Sequence, residues 1–193
     1  MSAAAAATIQ IKGSVLRSRL ALVEDLRPGG GVACVLARLE AADRDALGSL
    51  LASSWYPFDL GSRLDVAIVA ELGGGRPEFF ERLGEASAEK NLGEAGVHRR
   101  FLVPGDPHAF LEKTPLIYSY YYDQGRRDYE RTAQREAVLT TRDAETFSAP
   151  DCLTVVGWYR RALEMCGAKQ PRVVEEQCRA RGNTVCRYRL SWS

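Results

Sequence analysis

The sequence predicts an α+β domain in which N-terminal helices pack on a four- to five-stranded antiparallel sheet. Up to Gly125, apolar residues recur at intervals of three and four, the period of an amphipathic helix. After Gly125 the pattern moves towards alternation, with turn-prone and β-prone residues. One further helical stripe near 151–166 separates two stretches that each read as a hairpin. Helices first and antiparallel strands last is the order of an α+β layer, not of alternating βα units.

Thr8-Ile9-Gln10-Ile11-Lys12 alternates and reads as a short edge strand. A helix begins near Ser14, with Leu16, Leu20, Val23 and Leu26 on one face, and Pro28-Gly29-Gly30-Gly31 stops it. Helices follow at about 32–39 and 43–53. Trp55-Tyr56-Pro57-Phe58 forms a kinked aromatic junction into a helix faced by Leu60, Leu64, Ile68 and Leu72. Gly73-Gly74-Gly75 ends it, and Pro77 suits the first turn of the next helix, about 77–92. A loop from Gly93 to Gly105 holds His98. Asp106-Pro107-His108 opens a helix that runs through Phe110, Leu111, Ile117 and Tyr121 towards Gly125.

Two strands occupy Arg127 to Arg142, joined near Ala133–Arg135. Ser148 or Asp151 caps a final helix, and Gly167 stops it after Cys166. In that helix Cys152, Val156, Tyr159, Leu163 and Cys166 form one stripe that must lie on the sheet. The chain closes with two strands around Arg181-Gly182-Asn183, where Gly182-Asn183 supplies positive φ for the reversal.

The chain has 193 residues, an apolar fraction of 46%, a charged fraction of 26% and a net charge of +1. These bound the reading to one domain over 8–193, preceded by a disordered tail at 1–7. Acid and base are interspersed, which excludes an electrostatic footprint for nucleic acid or anionic membrane. No run of about 18 apolar residues occurs, so no membrane span is expected. An odd cysteine count of five and no secretory leader point to a reducing, cytoplasmic setting.

Cys178 and Cys186, eight apart around Gly182, fall on one face of the closing hairpin. With Glu175 and with Cys152 in the first turn of the final helix, they could form a four-ligand structural zinc site. The positive end of that helix would favour a thiolate at Cys152. Two other readings stand beside zinc: the cysteines pack as small hydrophobes, or they form a cross-hairpin disulfide. Glu175 lies three residues before Cys178, so a regular strand would point them to opposite faces. Zinc therefore requires a β-bulge, or Glu176 in place of Glu175. Cys34 and Cys166 read as lone core cysteines.

Lys12-Gly13-Ser14-Val15-Leu16, Trp55-Tyr56-Pro57-Phe58, Gly157-Trp158 and Cys178-Arg179-x-x-Gly182-x-x-x-Cys186-x-Tyr188-x-Leu190-x-Trp192 resemble a myxobacterial paralogous family of unknown function. The C-terminal half is similar to the 4-vinyl-reductase domain, a small-molecule-binding module. That domain shares one ligand-binding fold with the haem-NO-binding domain and TRAPP-type subunits. Sensors of the 4-vinyl-reductase type hold zinc by cysteine, glutamate and two cysteines in that order, and the resemblance implies Cys152, Glu175, Cys178 and Cys186 here. It also implies a sensory or scaffolding role and a homodimer.

Tyr118, Tyr121 and Tyr122 fall on one helical face, and with Trp158 they suit the wall of a pocket for an aromatic or hydrophobic molecule. Ordinary core or a dimer surface is the competing reading. A haem-binding member of the fold would need a proximal histidine and a Tyr-x-Ser-x-Arg clamp. Residues 118–122 do not supply the clamp, so His98 and His108 read as surface loop residues and haem is not expected. The histidines stand near no Gly-x-Ser-x-Gly elbow, and the glycine runs lack the Lys-Ser/Thr of a phosphate loop. Four filled zinc positions leave none open for catalysis. The expected function is a non-catalytic ligand-binding, regulatory module. The alternative is a dimerising scaffold that recruits an unknown protein partner and holds no small ligand.

Overall fold

The computed structural model describes residues 9–144 and 148–193; the tail expected at 1–7 lies outside them. Strand β1 (Gln10–Lys12) leads into helix α1 (Gly13–Leu26), followed by α2 (Gly31–Leu36) and α3 (Ala41–Gly48). Strand β2 (Trp55–Pro57) precedes α4 (Phe58–Leu72) and α5 (Glu78–Leu92). Next come α6 (Pro107–Leu111) and α7 (Thr114–Tyr121). Strands β3 (Arg126–Ala133) and β4 (Glu136–Arg142), helix α8 (Ala149–Met165), and strands β5 (Arg172–Gln177) and β6 (Cys186–Ser191) complete the chain.

The main sheet has four strands in the order β3-β4-β6-β5, all antiparallel. Its helix-facing side is read directly in the burial: Cys186, Tyr188 and Leu190 alternate inward on β6. A two-stranded sheet pairs β1 with β2, Ile11 opposite Tyr56. The expected aromatic junction at 55–58 is therefore partly a strand. Three residues are too few to show a period, and the partner strand lies far upstream.

Two further expectations are corrected. The helix expected at 43–53 ends at Gly48, and the helix expected from Asp106 to Gly125 is broken in two. The break falls at Glu112-Lys113: Pro115, in the first turn of α7, has no N–H to continue the ladder, and Thr114 Oγ1 donates to Leu111 O at 2.7 Å. Ser148, rather than Asp151, caps α8, accepting from the Asp151 N–H at 3.0 Å.

Helix α8 is the axis of the fold, packed between the sheet and α5. The two helices cross at glycines: a Cβ on Gly157 would lie 1.9 Å from Glu81 O, and one on Gly84 would lie 1.9 Å from Thr154 O. Arg160 clamps the crossing by pairing with Glu81 and Glu85, each at 2.6 Å. This close approach brings Thr154, Val155 and Trp158 of α8 and Ser87 of α5 into the wall of one cavity. No described helix is long and apolar enough to cross a membrane.

Candidate functional site

Tyr118, Tyr121, Tyr122 and Trp158 all line that cavity, which lies among α1, α5, α7, α8 and β3. The cavity measures about 40 Å³, room for about three waters, and about 460 Å³ when the open solvent at its mouth is included. Rings interlock around it: Tyr118 stacks on Tyr122 at 4.9 Å, and Tyr121 and Trp158 meet edge to face at 6.2 Å. Tyr122 is not on the helical face with the others. It is the extended C-cap residue of α7 and bridges to Ile11.

Sequence reasoning missed the polar half of this wall. Arg127 on β3 is 7% exposed; its Nε donates to Thr141 Oγ1 at 3.0 Å and its Nη1 to Tyr159 Oη at 3.1 Å. Its guanidinium also lies over the rings of Tyr118, Tyr159 and Tyr188. Arg19, in contrast, is paired with the buried Asp65 at 2.9 Å and donates to Leu83 O. Tyr122 Oη donates to Asp151 Oδ1 at 3.2 Å, whereas Tyr121 Oη is buried with no hydrogen-bond partner. Burial pushes the hydroxyls of Tyr121 and Tyr122 well up, so both remain protonated donors. It also raises the Asp151 carboxyl to about 7, against the pull of Arg19 and Arg127.

A second cluster gathers at the first turn of α8. Cys152, Glu175, Cys178 and Cys186 offer one ligand atom each, all within 4.8 Å of one another. The Cys152 sulfur lies 3.5 Å from that of Cys178 and 3.7 Å from that of Cys186. A tetrahedral zinc with Zn–S bonds of about 2.3 Å separates its sulfurs by about 3.8 Å, whereas a disulfide needs about 2.05 Å. All five cysteines are free thiols, so no cross-hairpin disulfide is present.

The strand geometry explains how Glu175 reaches the thiols. The β5–β6 register shifts between Glu175 and Gln177, a bulge that turns Cys178 back to the face of Glu175. Gly182, at φ 88°, reverses the chain after a short 3₁₀ turn at Arg179–Arg181; Asn183 needs no positive φ. Glu175 Oε1 is buried without a hydrogen-bond partner, while Oε2 accepts from Arg181. Glu176 instead faces Arg187 and Arg189.

The ionisation pattern differs from the expected thiolate at Cys152. The hydrogen bond between the Cys152 and Cys186 sulfurs, in which either thiol could donate, together with burial holds the Cys152 thiol up. That hydrogen bond and the Arg179 N–H, at 3.4 Å, lower Cys186 to about 6. Burial raises Cys178. Cys152 is one turn into α8, and its nearest electrostatic neighbours are the other sulfurs and Asp151.

The histidines are not surface residues as expected: His98 is 6% and His108 7% exposed. His108 has both ring nitrogens engaged, Nδ1 with Tyr129 Oη at 2.8 Å and Nε2 with Gln134 O at 2.9 Å. His98 packs its ring against Tyr120 and Tyr121, and its Nδ1 is buried with no partner. Loops are read as exposed from composition, yet His108 lies within α6 and His98, in the loop after α5, packs against aromatic rings. Cys34 is half-buried and Cys166 fully buried.

Residues 65–193 match a family described as "Protein of unknown function (DUF2378)". No curated protein matches the sequence. Among solved structures, an unliganded Fe(II) H-NOX protein variant from K. algicida superposes with a TM-score of 0.70 at 13% identity, covering 95% of this chain and 97% of that one. An H-NOX structure described for the function of haem distortion gives 0.68 at 10% identity, and an oxygen-binding H-NOX domain related to soluble guanylate cyclases gives 0.67 at 11%; each covers 95% of both chains. The shared feature is the fold: helices packed against an antiparallel sheet.

These neighbours correct the expectation that haem is not to be looked for in this chain. The absent clamp at 118–122 was the reason for it, and a whole-chain likeness to haem-carrying domains outweighs a five-residue stretch. Tested residue by residue, the fit to haem is partial. Aromatic walls and the Arg127 cation suit a flat, acid-bearing ring. Among the described residues no histidine, cysteine or methionine lines the cavity to serve as axial ligand; His98, with its unpartnered Nδ1, stands one ring away against Tyr121.

Proposed function

We propose that this chain, which belongs to the DUF2378 family, is a non-catalytic module that binds a small molecule in the cavity beside α8 and is held in shape by a structural zinc. The observation that carries the reading is the cavity itself. Five aromatic side chains from α7, its C-cap and α8 surround a void that holds a cation without an acid in contact and a hydroxyl without a partner. Apolar walls with few, convergent polar groups are the make-up of a ligand site. The shared fold supports the reading, since the neighbours are H-NOX domains, one of them described as binding oxygen. Haem belongs among the candidate ligands for the same reason.

Zinc is proposed at Cys152, Glu175, Cys178 and Cys186. Two sulfur separations near the tetrahedral value and an orphaned Glu175 oxygen support it. Four protein ligands fill the coordination sphere, so the metal's role is to tie the β5–β6 connection to the first turns of α8, the helix that carries Trp158.

The test is a thermal-shift screen of aromatic acids, neutral aromatics, fatty acids and hemin, run on the parent protein and on Tyr121→Ala. A ligand at 100 times its Kd stabilises the parent by about 2.7 kcal/mol, and the variant should lose that gain. For hemin, His98→Ala adds a spectroscopic check: a Soret shift that vanishes in this variant would identify the axial ligand. A screen in which nothing stabilises the parent overturns the reading and leaves the dimerising scaffold.

A further inference from the structure

We infer that the cavity takes a small carboxylate, its acid group seated on Arg127 and Tyr121 and its apolar body directed to the open mouth. This deepens the proposed ligand-binding reading and rests on it. Arg127 is more than nine-tenths buried and lines the cavity, yet no carboxylate forms an ion pair with it among the described residues. Its two hydrogen bonds go to hydroxyls, Thr141 Oγ1 and Tyr159 Oη, which leaves Nη2 without a hydrogen-bond partner. A buried guanidinium stays charged, so an uncompensated one is costly unless an anion arrives.

The contrast with Arg19 shows what compensation looks like here. Arg19 lines the same cavity and is matched by Asp65 at 2.9 Å. Asp151 is the other buried aspartate among the described residues; it accepts from Tyr122 and feels the pull of Arg127, yet makes no ion pair with it. Tyr121 Oη provides the second, independent pointer: it is buried, remains protonated, lines the cavity and donates to nothing. A cation and a hydroxyl with free donors in one void suit a carboxylate, which accepts through two oxygens. A cavity of about 40 Å³ matches an acid head rather than a whole drug-sized molecule. Beyond it, the rings of Tyr118, Tyr122 and Trp158 line the cavity and suit an apolar body.

Benzoate and its uncharged isostere benzamide provide the test, titrated calorimetrically at fixed ionic strength. Benzoate should bind the parent at least tenfold more tightly than benzamide. Arg127→Met should weaken benzoate by about 10- to 100-fold and leave benzamide unchanged. Because Arg127 also braces Thr141 and Tyr159, Tyr121→Phe serves as the second variant: it removes one unsatisfied hydroxyl, so it keeps the fold and still weakens benzoate several-fold. Equal binding of the two probes, or benzoate binding that neither variant alters, overturns the inference. If benzamide and other neutral aromatics bind while benzoate does not, the ligand-binding reading stands and the carboxylate inference fails. If no probe binds, both fail.

Discussion

Replacing Gly157 with alanine puts a methyl carbon 1.9 Å from Glu81 O, a contact with backbone that no rotamer can relieve. Helices α5 and α8 must then part by about 1 Å to reach the shortest tolerable separation. Overpacking of this kind costs about 3 kcal/mol at the upper end of its range, and alanine's better helix propensity offsets about 1 of that. The net loss is about 2 kcal/mol. Across 193 residues, an unfolding entropy of about 2.1 cal/mol/K per residue converts it into a fall of about 5 °C in Tm. Gly84→Ala strikes Thr154 O at the same crossing and should cost a similar amount. The double variant should cost less than the sum, because one parting of the helices relieves both contacts. Gly48→Ala, with nothing within 4 Å and no positive φ, is the control and should not lower Tm. Thermal unfolding by circular dichroism reads all four variants. A Tm for Gly157→Ala within about a degree of the parent would refute the close crossing, and with it the placement of Trp158 and Ser87 in one cavity wall.

Metal analysis of purified protein should find close to one zinc per chain. Cys178→Ser or Cys186→Ser should release it and lower Tm, whereas Cys34→Ser should change neither; full occupancy in the Cys178 variant would count against the site. Burial, with a smaller push from Arg100, holds the His98 imidazole below its usual 6.5. The neutral form is thus favoured in the folded state, so stability should be complete above about pH 6.5 and fall as pH drops towards the folded-state value. His98→Phe should flatten that slope in urea titrations between pH 7 and 5, and an unchanged slope would contradict the assignment. Light scattering over a concentration series should reveal a homodimer, and a strict monomer at high micromolar concentration would remove dimerisation from the account.

Where a signal is local, the sequence displayed it. The apolar faces of α4, α5 and α8 follow the helical period, and the spacing of three between Glu175 and Cys178 called for the bulge present at Glu175–Gln177. Tyr118, Tyr121 and Trp158 are ring-bearing residues on helices and line one cavity, which Tyr122 reaches from an extended C-cap that the helical period did not foretell. Arg127 was not legible. In β3 it is a buried residue in a run of charged ones, and its partners come from α7, β4, α8 and β6. Tertiary contacts alone make it internal, and no period in the chain marks it. The same holds for the ionisation of the cysteines: helix position suggested Cys152, while the Arg179 N–H and the contact with the Cys152 sulfur favour Cys186. Burial of His98 and His108 likewise depends on Tyr120, Tyr129 and Trp192, each remote in sequence.

Native mass spectrometry of freshly purified protein tests the central claim most directly, because metal and retained ligand are read in one spectrum. The account predicts a chain mass raised by one zinc, together with a population carrying a small molecule that gentle collisional activation releases. That population should disappear in Tyr121→Ala while the zinc stays. A bare polypeptide mass, with neither increment in the parent protein, would contradict both the metal centre and the ligand cavity.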